Sequence, residues 1–163
     1  MLKKALRKKI IKLREKKYNP NIQIKLEKII KIFKKKKLIK PLIGGYYPSN
    51  HEIDCVKVMN QLNAKGYKIS LPLISNNSQM EFYTWNKFEP LMPNKYGIPE
   101  PTSSELVFPD VIIVPMVAFD KYKYRIGYGG GYYDRYLKKI YNKKKCLTIG
   151  FAFSFQKIKK VPV

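Results

Sequence analysis

One histidine, two cysteines and a single tryptophan are all that the 163 residues contain of these types. His51, Cys55 and Cys146 fall in no spacing that would hold a transition metal or form a redox pair. The cysteines are therefore expected to be reduced thiols of a cytoplasmic protein. No apolar run approaches the roughly 20 residues needed to cross a bilayer. The N-terminus is basic but has no apolar segment behind it, so neither membrane association nor a secretion signal is expected. Acidic residues are scarce, 11 against 34 Lys and Arg, for a formal net charge of +23. Arginine is scarce as well: Arg7, Arg14, Arg125 and Arg135 are the only four, and every other basic residue is lysine.

Residues 1–40 hold 17 of the basic groups against Glu15 and Glu27 alone. Such a balance attracts polyanions through counterion release. Base readout and bidentate phosphate recognition favour arginine, however, and lysine dominates here. The expectation is solvated lysine, with weak and salt-sensitive polyanion binding as a side effect and no specific nucleic-acid partner. A hydrophobic content of 45%, with 13 Tyr and 8 Phe, fits a folded protein. At this length one domain over 1–163 is expected, and a monomer.

The periodicity predicts a helix over 2–18, with Leu2, Ala5, Leu6, Ile10 and Leu13 as its apolar stripe, stopped by Asn19-Pro20. A second helix is predicted over 21–37, burying Leu26, Ile29, Ile30 and Phe33. A strand in 38–47 exits through Gly44-Gly45. Ser49-Asn-His-Glu52 has the pattern of a capping box opening a helix to about residue 64, with Gly66 ending it. Strands follow at 67–73 and 80–85, then a long segment from 90 to 109 punctuated by Pro and Gly. Residues 106–115 read as a buried central strand, 131–141 as a helix and 147–153 as a last strand. Alternation of this kind predicts a three-layer α/β/α fold with a mostly parallel, Rossmann-like sheet.

The most informative stretch is Arg125-Ile-Gly-Tyr-Gly-Gly-Gly-Tyr-Tyr-Asp-Arg-Tyr136. Glycines let the backbone approach a bound group closely, and a helix starting directly behind them aims its free N–H groups at the same space. Phosphate suits such a site. A glycine-rich hairpin is the plain alternative; Arg125 before the loop and Tyr-Tyr-Asp-Arg after it favour the phosphate reading.

Val114-Pro-Met-Val-Ala-Phe-Asp120, followed by Tyr124 to Arg135, resembles the signature of the 5-formyltetrahydrofolate cyclo-ligase (5,10-methenyltetrahydrofolate synthetase) family. Tyr96-Gly-Ile-Pro-Glu-Pro101 resembles a further part of its pattern. The resemblance implies ATP- and Mg²⁺-dependent closure of 5-formyltetrahydrofolate to 5,10-methenyltetrahydrofolate, with ADP and phosphate released. The implied ATP-binding set is Lys3, Lys4, Arg7, Arg125, Gly127, Tyr128, Gly129, Gly130, Gly131, Tyr132 and Tyr133. Arg125 and Tyr133 are the catalytic candidates. Tyr47, Glu52, Tyr96 and Tyr132 belong to the folate side, and Asp134 is the carboxylate for Mg²⁺. Members of the family continue with an acidic segment that includes a metal-binding aspartate; this sequence ends at Val161-Pro-Val163, so that segment is expected to be missing. Two other readings compete: a related nucleotide-binding protein without turnover, and a basic nucleic-acid-binding module.

Overall fold

The computed structural model of the chain describes residues 2–75, 77 and 79–162. Its centre is a six-stranded sheet in the order β10-β7-β1-β2-β3-β6. The strands are β1 (Ile43–Gly44), β2 (Ile69–Ile74), β3 (Met80–Thr84), β6 (Leu106–Val107), β7 (Val111–Val114) and β10 (Leu147–Gly150). β10, β7, β1 and β2 run parallel, with Ile43 opposite both Ile69 and Val111. β3 is antiparallel to β2, and β6 to β3. The sheet is mixed but mostly parallel, as the alternation of elements predicts.

β7 shows why the sheet carries a layer on each face. Its four residues are all buried. Successive side chains point to opposite faces. Val111 and Ile113 join one core with Ile29 and Phe33 of α2 (Leu26–Lys35) and Val58, Met59 and Leu62 of α3 (Val56–Ala64). Ile112 and Val114 join the other, with Phe82 and with Tyr136 and Ile140 of α4 (Tyr132–Tyr141). Phe82 is fully buried beside Tyr136, and its truncation to Ala removes about 3–5 kcal/mol.

The first helix, α1 (Leu2–Lys17), lies outside these layers. It caps the segment that leaves β7, placing Ile10 against Val117, Ala118 and Ile126. Its buried face matches the stripe read from the sequence in part. Leu6 and Ile10 turn inward and Leu13 is half-buried, but Leu2 is 70% exposed, Ala5 is exposed, and Arg7 and Arg14 join the inward face. The two arginines are tolerated there because they find backbone carbonyls inside.

Three further boundaries differ from expectation. α2 begins at Leu26, because Asn19 holds residues 21–22 in a turn: its side chain accepts from the N–H of Asn21, and its carbonyl from that of Ile22. α3 begins at Val56, not at Ser49. The Ser49–Glu52 pairing exists, with Ser49 N–H on Glu52 Oε2 at 2.8 Å and Glu52 N–H on the Ser49 carbonyl at 3.0 Å, but it closes a free-standing turn. Asn50 and His51 both have positive φ there and cannot continue a helix. The 106–115 run is two strands, since Pro109 interrupts it and β6 pairs with β3 while β7 enters the sheet centre.

The end of α3 does follow the sequence signal. Gly66, at φ +82°, donates to Asn63, and Tyr67 donates to Leu62, which is the paired geometry of a Schellman cap. The segment 90–109 contains a small hairpin, β4 (Leu91–Pro93) with β5 (Pro99–Pro101), instead of lying structureless. Asn94 organises its tip by accepting from Tyr96 and Ile98 N–H. A second hairpin, β8 (Ala118–Phe119) with β9 (Arg125–Ile126), delivers the chain into the glycine loop.

Candidate active site

The glycine loop runs from Gly127 to Gly131 and ends directly at α4. Gly129 and Gly131 have φ of +108° and +70°, so the loop needs glycine at those two places. Gly131 is the N-cap of α4 and offers no side chain to the helix's first N–H groups. That end of the helix dipole is positive and faces outward past the loop. Two loop carbonyls are held by arginine: Arg7 Nε donates to Gly127 at 2.8 Å, and Arg135 Nη1 to Gly130 at 3.0 Å. The Arg7 guanidinium lies against Gly129, about where a side chain there would point.

Arg125 leaves β9 and reaches back to α4, where Nη2 meets Asp134 Oδ1 at 2.6 Å. Asp134 is 77% exposed and Arg125 only 17%. The Arg125 guanidinium also sits 5.9 Å from the centre of the Tyr133 ring. Arg125 lines a cleft of about 660 Å³ with Val114, Met116, Phe119, Leu137 and Gly150. Lys121, Lys123 and Lys157 add positive charge to it. Val114 and Gly150 are the last residues of β7 and β10, so the cleft opens at the carboxyl ends of parallel strands, where open α/β sheets bind ligands. A second groove, between α2 and α3 and lined by Leu26, Ile30 and Lys65, lies apart from all of these residues.

Of the residues expected to face folate, Glu52 is tied to the loop through Tyr128, and Tyr96 to the start of α4 through Tyr132. Glu52 is buried, with Oε2 accepting from Ser49 N–H and Oε1 from the Tyr128 hydroxyl at 2.6 Å. Burial raises its carboxyl above the usual range, and the bonds from Tyr128 and Ser49, with Arg14 nearby, oppose that only in part. Tyr96, at the β4–β5 tip, and Tyr132, at the start of α4, join their hydroxyls at 2.8 Å across the two segments. Tyr47 is half-buried just after β1. Tyr133 turns its hydroxyl inward, where it is buried and has no partner among the described residues. Burial, with Glu52 and Cys55 adding to it, holds that phenol well above its ordinary value. An unpaired buried hydroxyl costs about 1–3 kcal/mol, which a bound acceptor would recover.

Lys3 and Lys4 are exposed on the first turns of α1, one and nearly one turn before Arg7. Arg14 is a site residue that no sequence motif marked. It is 1% exposed and contacts three segments: Asn50 and Met116 carbonyls and the Tyr128 hydroxyl. One signal was available, since Arg7 and Arg14 are the only arginines in a helix full of lysine and stand seven residues apart, on one face.

A sequence model of the 5-formyltetrahydrofolate cyclo-ligase family matches residues 2–163. The chain belongs to this family. It is 34% identical over 119 residues to the 5-formyltetrahydrofolate cyclo-ligase of Escherichia coli K12, a match covering 69% of this chain and 65% of that protein. The Mycoplasma genitalium member is 51% identical over 47 residues, 29% of this chain and 27% of its own. Among solved structures, Aquifex aeolicus 5,10-methenyltetrahydrofolate synthetase superposes with a TM-score of 0.75 at 32% identity, covering all of this chain and 84% of that one. A Mycoplasma pneumoniae 5,10-methenyltetrahydrofolate synthetase shares the fold at a TM-score of 0.70 and 24% identity, with 100% and 92% covered.

The family implies Mg²⁺, and the donor set limits how it would be held. No three His, Cys, Asp or Glu side chains among the described residues converge on one point. Asp134 is exposed in the first turn behind the glycine loop and is paired with Arg125. That fits an ion taking one carboxylate and drawing its other ligands from substrate phosphates and water, the usual mode for Mg²⁺. It does not fit an all-protein cage.

Proposed function

We propose that this chain catalyses the ATP-dependent cyclisation of 5-formyltetrahydrofolate to 5,10-methenyltetrahydrofolate. The observation that carries the reading is the glycine loop itself, with an uncapped helix N-terminus and Arg125 on one side and buried Glu52 with the unpaired Tyr133 hydroxyl on the other. In this reading a phosphate-binding and a donor- and acceptor-binding surface share one wall.

The formyl group on N5 is an amide and a poor electrophile. Transfer of the γ-phosphoryl to its oxygen turns that oxygen into a leaving group and leaves an iminium phosphate. N10 then attacks the formyl carbon and gives up its proton to solvent, the ring closes, and phosphate departs with the oxygen. Phosphoryl transfer asks for positioning and charge neutralisation, and needs no triad. In this reading the loop amides, Arg7 and Arg125 take the phosphates, with Lys3 and Lys4 adding charge from α1. The cleft beyond Arg125 takes the base and ribose. Tyr133, protonated throughout the neutral range, donates to the oxygen being phosphorylated. Glu52 accepts from the donor edge of the pterin, and Tyr47, Tyr96 and Tyr132 line the same side. Mg²⁺ held by Asp134 would neutralise charge on the transferring group.

All three arginines at the loop are engaged, Arg125 with Asp134, Arg7 with Gly127 and Arg135 with Gly130. Nucleotide binding therefore has to draw Arg125 away from an exposed partner, a small loss in water. In this reading the protein is a cytoplasmic monomer acting on a small molecule, and both its cysteines are free thiols. The test is the appearance of the methenyl product, which absorbs in the near ultraviolet, only when ATP and Mg²⁺ are both present.

A further inference from the structure

Burying a guanidinium is costly unless its donors are satisfied, and Arg14 has no carboxylate in direct contact among the described residues. Its Nε donates to the Asn50 carbonyl at 2.9 Å and Nη1 to the Met116 carbonyl at 3.2 Å. Nη2 donates to the Tyr128 hydroxyl, and the guanidinium carbon stands 5.5 Å from the centre of the same ring. The Tyr128 oxygen, having accepted from Arg14, can give its own proton in only one direction. That proton goes to Glu52 Oε1 at 2.6 Å. Arg14 and Glu52 are therefore joined through one phenol.

We propose that Arg14 and Tyr128 are positioning residues for the folate-side carboxylate: Arg14 orients the Tyr128 hydroxyl, and that hydroxyl fixes Glu52 with an acceptor direction on Oε1 left for a donor-edged ligand. The proposal rests on the cyclo-ligase reading above. It also moves the Tyr128 side chain from the phosphate group of residues, where the motif put it, to the folate group. A carboxylate has roughly four lone-pair directions. Ser49 takes those on Oε2, through its N–H at 2.8 Å and its hydroxyl at 3.4 Å, and Tyr128 takes one on Oε1. An N–H donor on a pterin edge matches the direction that remains on Oε1.

The same bond sets the acidity at which the carboxylate protonates. Tyr128, Ser49 and Arg14 all oppose the upward push of burial on Glu52. The other groups near it are Tyr46, Cys55 and Tyr133, each raised by its own burial and neutral across the acid range. His51, next in the chain, packs edge-on against Tyr18 with ring centres 5.1 Å apart. Loss of folate affinity on acidification is thus assigned to Glu52.

The test is the affinity of the intact chain and of Tyr128→Phe for 5-formyltetrahydrofolate and for ATP, measured by calorimetry from about pH 5 to 8. The Phe variant keeps the ring and both carbonyl bonds of Arg14, so packing is retained. We expect its folate affinity to fall about tenfold at neutral pH, as for loss of a hydrogen bond to a charged group, with ATP affinity within about twofold of the parent. Its acid limb for folate binding is expected at higher pH than the parent's. Arg14→Lys, which keeps a cation but cannot serve three acceptors in a fork, should show the same selectivity. Unchanged folate affinity with an unmoved acid limb in Tyr128→Phe would overturn the proposal, as would equal losses for folate and ATP. A parent chain that binds no folate at any pH would instead overturn the cyclo-ligase reading, and this inference with it.

Discussion

Arg7 and Arg14 stand two turns apart on one face of α1 and grip the same loop at adjacent residues. Arg7 holds the Gly127 carbonyl at 2.8 Å and Arg14 the Tyr128 hydroxyl. Ile10 lies between them and seats the helix on Val117, Ala118 and Ile126. The N-terminal helix is thereby part of the site wall. Arg7→Ala should weaken ATP binding about tenfold or more and leave folate binding largely intact, checked by titrating each ligand separately.

Arg125 is the cation that joins the cleft, the loop and α4. Arg125→Ala should lower turnover by about 10²-fold, the scale of losing one donor aimed at developing charge. Saturating substrate kinetics would check this, because a loss of ground-state binding alone would disappear at high ATP.

Asp134→Asn separates metal binding from folding. The ion pair with Arg125 is surface-exposed on one side and contributes about 0–1 kcal/mol. Thermal melting should therefore move little, while the Mg²⁺ concentration needed for half-maximal activity rises. A melting loss of many degrees would show that the pair is structural.

Asp120 anchors the hairpin before the loop. Burial raises its carboxyl, but N–H groups of Val161, Tyr124 and Tyr122 outweigh that and hold it below its ordinary value. Its stabilisation is present above the unfolded value of about 3.9 and disappears as pH falls through the lower folded one. Asp120→Asn should be less stable at neutral pH and show a shallower loss of stability with acid, read by denaturant titration at several pH values.

Both thiols should be inert in the native state. Burial pushes the Cys55 thiol far up and that of Cys146 to about 11. An alkylating reagent at neutral pH should modify neither quickly and both after unfolding, as followed by mass spectrometry.

The sequence reveals the layers well, because period-2 burial in β7 and the apolar faces of α2 and α4 are local patterns. The Gly66 cap and the glycine loop were equally legible, each being a contiguous signal. What escaped it depends on distant partners. The Ser49-x-x-Glu52 pattern is a real hydrogen-bonded turn, yet nothing local says that Asn50 and His51 take positive φ and delay the helix to Val56. Arg14 looked like one more charge on a solvated face. Its burial follows from carbonyls at positions 50 and 116, far away in the chain. Tyr128 sits inside the loop motif, and only the fold shows that its hydroxyl turns to Glu52.

The most direct measurement combines the purified chain with 5-formyltetrahydrofolate, Mg²⁺ and ATP and follows the near-ultraviolet absorbance of 5,10-methenyltetrahydrofolate. The account predicts an ATP-dependent rise, with ADP and phosphate formed in equal amount to product, that is lost in Arg125→Ala. ATP and folate both bound, with no absorbance change and no ADP, would contradict it.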